Sequence, residues 1–224
     1  MKYKHIVWDW NGTLLDDRWL CIEAINVVLG SRGMPLVSDK NYRDVFCFPV
    51  IEYYEKLGFD FTKELFPIPG FLEYYKSRFK DCNLHEDAEF VLKKINESGI
   101  TQSILSAGKQ DSLVSWVNHH NIDHLFNQLI GVENEKADGK IESGINWLKT
   151  SRLEPENILL VGDTIHDSEV SQAMGVKCLL IDIGHVSTKR LKMTGEEVLT
   201  SLREILEYLN IEEILKTLIL NEGF

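Results

Sequence analysis

Carboxylates follow hydrophobic segments at two widely separated places in the chain. Asp9 ends the segment HIVWD, and Asp163 and Asp167 lie in GDTIHD, directly after the segment NILLV. Clustered carboxylate oxygens are the hard ligands that Mg²⁺ takes in proteins. A carboxylate can also act as a nucleophile that takes up a phosphoryl group, which water later removes. These residues indicate a site for a cation and an anionic substrate, in which Ser106 and a nearby lysine would hold the phosphoryl oxygens.

Short β-branched and aromatic runs precede these polar residues and predict strands. The predicted strands are 5–10, 101–108, 127–132, 157–164 and 176–182. Segments with helical periodicity lie between them, at 86–99, 110–120, 142–152 and 167–175. This alternation predicts an α/β fold with a doubly wound, Rossmann-like parallel sheet. Because Asp9, Ser106 and Asp163 each end a strand, we expect them to meet in one crevice at the carboxyl edge of the sheet.

The stretch between the first two core strands breaks the alternation. It is rich in aromatic residues and has no strand pattern, and its segments 18–33, 41–58 and 71–81 each predict an amphipathic helix. We therefore predict a helical cap domain at 17–83, inserted into a core domain made of 1–16 and 84–224. Further helix is expected at 200–220. An insertion at this point would lie over the crevice and could act as a lid.

Composition excludes several classes of protein. The chain has 224 residues and a net charge of −11, and it lacks a basic stretch dense enough to follow a nucleic-acid backbone. No apolar run is long enough for a signal peptide or a membrane span. The four cysteines are far apart, which is typical of reduced thiols. We expect a cytoplasmic monomer or small homo-oligomer that binds neither nucleic acid nor membrane.

Four segments resemble the motifs of the haloacid dehalogenase-like hydrolases. DWNGTLLD (9–16) resembles their first motif, DxDGTLxD, and SILSA (103–107) is similar to the second. GDTIHD (162–167) is similar to the fourth motif, GDxxxD. The third, a lysine ahead of a helix, is best matched by Lys140, with Lys136 as the alternative. The insertion lies where the type-1 helical cap of the phosphoglycolate-phosphatase-like branch lies.

The resemblance implies roles for individual residues. Asp9 would be the nucleophile and a Mg²⁺ ligand, and Ser106 and Lys140 would bind the phosphoryl group. The metal-binding residues that it implies are Asp9, Asn11 through its main-chain carbonyl, Asp163 and Asp167. The phosphate-binding residues that it implies are Gly12, Thr13, Ser106, Ala107, Gly108 and Lys140.

The insertion offers weaker expectations. By position in a type-1 cap, we expect the segment 46–50 to face the substrate and Arg43 to contact it. The aromatic residues of the cap are expected to serve mainly in packing: Tyr42, Phe46, Phe48, Tyr53 and Tyr54. Asp16 and Asp17 are interpreted as carboxylates at a helix N-terminus, where the helix dipole favours them.

Position 11 departs from the pattern. Phosphatases of the family carry an aspartate there that protonates the leaving group and then activates water, and the amide of Asn11 can do neither. General acid–base catalysis contributes roughly 10²–10⁴-fold, or about 3–5 kcal/mol. The leading hypothesis is therefore a Mg²⁺-dependent phosphatase of a small phosphorylated metabolite that forms an aspartyl-phosphate on Asp9 and turns over slowly.

Two alternatives stay open. A phosphonatase or dehalogenase would use the same nucleophile on a substrate whose leaving group needs no acid, and the phosphonatase route would require a cap lysine such as Lys40, Lys56 or Lys63. A catalytically weak phosphometabolite-binding or regulatory protein would keep the site without turnover.

Overall fold

A six-stranded parallel sheet forms the centre of the computed structural model, which describes residues 2–222. The strands of the described residues are β1 (His5–Trp8), β2 (Leu15–Asp16), β3 (Asn83–Leu84), β4 (Thr101–Lys109), β5 (Gln128–Val132), β6 (Ile158–Gly162), β7 (Lys177–Ile181) and β8 (Glu197–Leu199). Of these, β2 and β3 form a separate two-stranded pair, and the other six form the central sheet. The sheet order is β5-β4-β1-β6-β7-β8, and every neighbouring pair in it is parallel. After β1, the chain first adds β4 and β5 on one side and then β6, β7 and β8 on the other. The crevice of a doubly wound sheet therefore lies at the carboxyl end of β1.

Helices cover both faces of this sheet and make up most of the insertion. They are α1 (Arg18–Ser31), α2 (Asp39–Val45), α3 (Val50–Lys56), α4 (Phe71–Arg78), α5 (Ala88–Glu97), α6 (Gln110–His119), α7 (Lys140–Ser151), α8 (Ile165–Met174), α9 (Thr188–Lys192), α10 (Arg203–Tyr208) and α11 (Ile211–Glu222). The first four belong to the insertion. The α/β fold with a doubly wound sheet is confirmed.

The central strands are buried along their length because helices pack on both faces. All residues of β1 and β6 are buried, which is why their sequences are continuous apolar runs rather than alternating ones. The sheet face near α1 shares its core with the insertion, since Val7 and Leu160 belong to the same hydrophobic cluster as Val28, Tyr42 and Tyr53. The insertion is thus packed directly on the core.

Several predicted elements differ from the structure. The helix predicted at 41–58 is two helices, α2 and α3, because Pro49 lacks the amide hydrogen that would continue α2. The helix predicted at 200–220 breaks at Asn210, whose φ is 54°. The short elements β8 and α9 were not predicted at all. The antiparallel pair β2 and β3, which joins the insertion to the core, was also missed because two-residue strands carry no periodicity.

Among the described residues, no helix is both long enough and apolar enough to cross a membrane.

Candidate active site

Three buried carboxylates meet at the carboxyl edge of the sheet, next to β1 and β6. Asp9 directly follows β1, Asp163 directly follows β6, and Asp167 lies in the first turn of α8. Oxygen atoms of the three side chains all lie within 4.8 Å of one another. The structure therefore brings together the three aspartates that the sequence singles out.

Lys140 lies in the middle of this cluster. It is the first residue of α7, its side chain is 3% exposed, and its Nζ is 2.5 Å from Asp9 Oδ1 and 2.6 Å from Asp167 Oδ1. Burial alone would lower the pKa of Lys140, but the two carboxylates raise it above its ordinary value. Lys136, by contrast, is exposed on the rim of the pocket. The geometry thus favours Lys140 over Lys136 as the lysine at the phosphoryl position.

The electrostatics of Asp9 reflect crowding by like charges. Burial raises the pKa of Asp9, the Lys140 ammonium lowers it, and the neighbouring carboxylates of Asp167 and Asp163 raise it again, so that it lies well above the ordinary value. Three carboxylates face one ammonium here. The cluster therefore has a deficit of positive charge, which a divalent cation would balance.

Thr13 and Gly12 shape the loop after β1. The Thr13 hydroxyl is 2.9 Å from Asp163 Oδ1 and 3.3 Å from Asp9 Oδ2, so it links the two strand ends. Gly12 has a φ of 80°, and a Cβ there would come within 2.3 Å of the His185 ring and 2.5 Å of Asp163 Oδ2. Only glycine fits this position, both for its backbone conformation and for space.

Asp167 is held on both of its oxygens. Oδ2 accepts hydrogen bonds from the Thr164 amide at 3.0 Å and the Thr164 hydroxyl at 2.8 Å, while Oδ1 faces Lys140. A Cβ at Gly162 would lie 2.2 Å from Asp167 Cγ, so this glycine makes room for the carboxylate. These contacts suit Asp167 to fixing the position of Lys140.

The carboxyl-terminal end of β4, where the pairing with β5 is irregular, borders the same space. Ser106 is 1% exposed, and its Oγ accepts a hydrogen bond from the Gly108 amide at 2.9 Å. Ala107 and Gly108 line the pocket, and a Cβ at Gly108 would come within 2.9 Å of the Trp116 ring. Ser106 therefore orders the end of β4, where Ala107 and Gly108 line the pocket.

The Asn11 side chain is engaged by residues that the sequence analysis did not connect with it. Its Nδ2 donates to Asp17 Oδ2 at 2.8 Å and to the Tyr75 hydroxyl at 3.0 Å. The Tyr75 hydroxyl donates to the same Asp17 oxygen at 2.7 Å. The other Asp17 oxygen lies 3.2 Å from His185 Nε2, and His185 Nδ1 lies 2.9 Å from the Tyr42 hydroxyl. We call these five residues the Asn11 network.

The interpretation of Asp17 as a carboxylate at a helix N-terminus is incomplete, although Asp17 is the N-cap residue of α1. Asp17 precedes α1, but its side chain makes no capping hydrogen bond, is fully buried, and is the hub of the Asn11 network. Burial would raise the pKa of Asp17, but His185, Tyr75 and Asn11 lower it. Correspondingly, burial would lower the pKa of His185, and Asp17 raises it to about 8. His185 follows the carboxyl end of β7, and that position was the one sequence signal that could have identified it.

Arg43 does not lie at the pocket. Its guanidinium donates to the main-chain carbonyls of Asp182, at 2.5 Å, and Val186, at 3.0 Å. Arg190 makes the reverse connection, donating to the main-chain carbonyls of Arg43 and Phe46. The expected substrate contact through Arg43 is therefore corrected: Arg43 fixes the cap to the loop after β7, because its fork of donors meets several unpaired carbonyls there.

The pocket above Asp9 is enclosed largely by aromatic side chains of the insertion. The aromatic residues that line it are Tyr42, Phe46, Phe48, Tyr53, Tyr54, Phe66, Phe71, Tyr75 and Trp116. The cap aromatics were expected to serve mainly in packing, but all five residues of that set also line the pocket. Across the opening, Lys76 of the cap pairs with Glu135 of the core at 2.5 Å.

The fold and the site together define a capped α/β hydrolase with a strand-end aspartate beneath the cap. The family model described as haloacid dehalogenase-like hydrolase matches residues 6–181, well over half of the chain. The chain belongs to the haloacid dehalogenase-like hydrolase family.

Individual relatives are more distant. The chain is 22% identical over 193 residues to a phosphoglycolate phosphatase of Aliivibrio fischeri, covering 81% of this chain and 85% of that one. It is 23% identical over 218 residues to a 5'-nucleotidase of Pseudomonas aeruginosa, covering 92% and 97%. It is also similar to a solved structure described as a predicted phosphoglycolate phosphatase from Haemophilus somnus, with a TM-score of 0.75, 17% identity and coverage of 93% and 99%.

Proposed function

We propose that the protein is a Mg²⁺-dependent phosphatase that hydrolyses a small phosphorylated metabolite through an aspartyl-phosphate on Asp9. The observation that carries this proposal is the position of Asp9. It is a buried carboxylate at the end of the central strand, bound to a buried ammonium and open to a capped pocket. The phosphatase names of the distant relatives support the same reaction class.

The residues present fit a divalent cation. When all three buried carboxylates are ionised, Lys140 balances only one of them, and burying the remaining charge without a counter-ion is costly. Asp9, Asp163 and the main-chain carbonyl of Asn11 would hold Mg²⁺, and Asp167 would ligate it or orient its waters while positioning Lys140. When bound, the ion would neutralise charge on the phosphoryl oxygens.

The chain's own residues account for the remaining steps. Asp9 would attack the phosphorus atom, and the Thr13 hydroxyl, 3.3 Å from Asp9 Oδ2, would restrain its carboxylate. Lys140 would face the phosphoryl oxygens as a point charge, and Gly108 at the end of β4 lines the same pocket. The cap would exclude bulk water from the reaction.

Asn11 sets the rate in this proposal. Its amide cannot transfer a proton, and both of its hydrogen-bond donors are already committed to Asp17 and Tyr75. Without a general acid at this position, we expect a loss of roughly 10²–10⁴-fold on substrates with poor leaving groups.

The test is a phosphate-release assay with Mg²⁺ on the wild type and Asp9→Asn. We expect Asp9→Asn to abolish turnover, EDTA to abolish it reversibly, and a ³²P-labelled or acid-stable adduct to be trapped only on the wild type. Turnover that survives Asp9→Asn would exclude this mechanism.

The phosphonatase alternative lacks structural support. The three candidate lysines lie away from the pocket: Lys40 is close to Asp44, Lys56 contacts Cys47, and Lys63 pairs with Asp60. A Schiff base with the substrate would require one of them to reach the space above Asp9.

The binding or regulatory alternative is favoured by one observation, the committed amide of Asn11. The result that would support this alternative is Mg²⁺-dependent binding of a phosphometabolite, measured as a thermal shift, without turnover of any phosphate ester. The same assay panel therefore separates it from the phosphatase.

A further inference from the structure

The wall of the pocket opposite Asp9 is aromatic and continuous from the cap to the core. The Phe71 and Tyr75 rings are stacked with centroids 6.4 Å apart, and the Tyr75 ring meets the Trp116 ring edge-on at 5.9 Å. On the other side, Phe46 meets Phe48 edge-on at 5.6 Å. Flat apolar walls of this kind suit an aromatic ring, which gains both burial and stacking contacts.

The cap contributes no unpaired cation to this pocket within residues 2–222. Lys76 is the one lysine or arginine of the insertion that lines it, and Lys76 is paired with Glu135. Arg43 is turned to main-chain carbonyls behind the pocket. A leaving group with its own carboxylate would therefore find no free cation on the cap side, and its partner would have to be Lys109 or Lys136 of the core, which also line the pocket.

The chemistry at position 11 favours the same class of substrate. The Asn11 amide cannot protonate the departing oxygen, so the leaving group must depart as an anion. A phenolic hydroxyl has a pKa of about 10, whereas an aliphatic hydroxyl resembles water and is a far weaker acid. An aryloxide is therefore a far better leaving group than an alkoxide in a site without a general acid.

We propose that this site, if it is the phosphatase proposed above, selects aryl phosphate monoesters over alkyl phosphates and phosphoglycolate-like carboxylates. An Asp9 carboxylate oxygen forms a bond to phosphorus as the bond from phosphorus to the aryl oxygen breaks. The aryloxide leaves with that electron pair and takes a proton from water. A second water then attacks the aspartyl-phosphate, which regenerates the Asp9 carboxylate and releases inorganic phosphate.

Four substrates separate ring recognition from leaving-group chemistry. They are phenyl phosphate, benzyl phosphate, 2,2,2-trifluoroethyl phosphate and phosphoglycolate. We expect kcat/KM for phenyl phosphate to exceed that for phosphoglycolate by at least about 10²-fold, the lower bound for a missing acid. Phenyl and benzyl phosphate should share a low KM because both have a ring, and benzyl phosphate should have a low kcat. Trifluoroethyl phosphate should show the reverse combination, a high KM with a substantial kcat.

A matched pair of variants tests the aromatic wall. Phe71 and Phe61 are both half-buried and both contact the Tyr54 ring, at 5.9 and 6.4 Å, but only Phe71 is among the residues that line the pocket. We expect Phe71→Leu to raise KM for phenyl phosphate by roughly 2–10-fold, the worth of one aromatic pair, and to leave KM for trifluoroethyl phosphate unchanged. Phe61→Leu should change neither. Phe48→Leu, on the opposite side of the pocket, repeats the test if Phe71→Leu does not fold.

The outcomes distinguish the two proposals. Phosphoglycolate hydrolysed as fast as phenyl phosphate would overturn the aryl preference while leaving the phosphatase intact. Failure to hydrolyse any of the four esters, with the protein folded and Mg²⁺ present, would overturn the phosphatase itself. Equal effects of Phe71→Leu and Phe61→Leu on KM would overturn the assignment of the aromatic wall.

Discussion

Exchanging the side chains of Asn11 and Asp17 should restore a general acid that the wild type lacks. In the double variant Asn11→Asp/Asp17→Asn, the carboxyl moves to position 11 and the amide to position 17. The hydrogen bond between the two positions, 2.8 Å in the wild type, is kept with its direction reversed. The amide oxygen at position 17 can still accept from His185, so the Asn11 network loses none of its pairs.

Repulsion between two neighbouring carboxylates explains why the single variant Asn11→Asp should not restore the general acid. It would place a second carboxylate beside Asp17, which is fully buried and already ionised by its contacts with His185 and Tyr75. Two charges about 4 Å apart repel by about 4 kcal/mol at an effective dielectric constant of about 20, which is about 3 pKa units. The carboxyl at position 11 would therefore keep a proton that it donates to Asp17 rather than to a leaving group.

The assay is kcat for an alkyl phosphate such as phosphoglycolate, measured with Mg²⁺ for the wild type, both single variants and the double variant. We expect a gain of roughly 10²–10⁴-fold for the double variant, and gains of less than about tenfold for Asn11→Asp and for Asp17→Asn. Phenyl phosphate should gain less than phosphoglycolate in the double variant, because its leaving group needs no proton and only the activation of water on the shared aspartyl-phosphate would be restored. A folded double variant that is no faster than the wild type on phosphoglycolate would refute the idea that the missing proton donor limits the rate.

Three further predictions concern individual side chains. Lys140→Met should lower kcat by at least about 10²-fold, as expected for removal of a group that stabilises transition-state charge, while Lys136→Met should lower it by less than tenfold; equal losses would show that the rim lysine shares the role. Gly12→Ala should cost at least about 1 kcal/mol of unfolding free energy from its positive φ alone, with more from the clash with His185, and a thermal unfolding midpoint equal to that of the wild type would contradict the packing described here. Burial lowers the pKa of His5 to about 4, so the folded state prefers the neutral ring, and stability should fall as the pH drops from about 6.5 to 4, by up to about 3 kcal/mol. His5→Phe should make the unfolding free energy less dependent on pH in that window, and an unchanged pH profile would show that His5 is not its source.

The core of the fold was predictable because buried parallel strands must be apolar along their length. The five runs 5–10, 101–108, 127–132, 157–164 and 176–182 all contain strands of the sheet. The elements that were missed are short. β8 and α9 have three and five residues, too few for a period of two or 3.6 residues to emerge.

The strand-end position of Asp9 and Asp163 was also predictable, because parallel strands end at one edge. The structure brings Asp9, Asp163 and Asp167 together, and Lys140 pairs with Asp9 and Asp167. Their roles in catalysis stay predictions until the variants above are measured.

The sequence by itself determined the sheet, the presence of a helical insertion and the residues that gather beneath it, since these follow from local periodicity and from the order of strands. Only the tertiary structure decided what surrounds Asn11. Tyr75 and His185 are 64 and 174 residues away in sequence from Asn11 and come from the cap and from the loop after β7, and no local pattern pairs them with Asp17. The same holds for Arg43, which was expected to contact the substrate but whose guanidinium donates to main-chain carbonyls of the loop after β7. Side-chain partners across such distances depend on how the cap packs against the core, and that packing is a property of the whole chain.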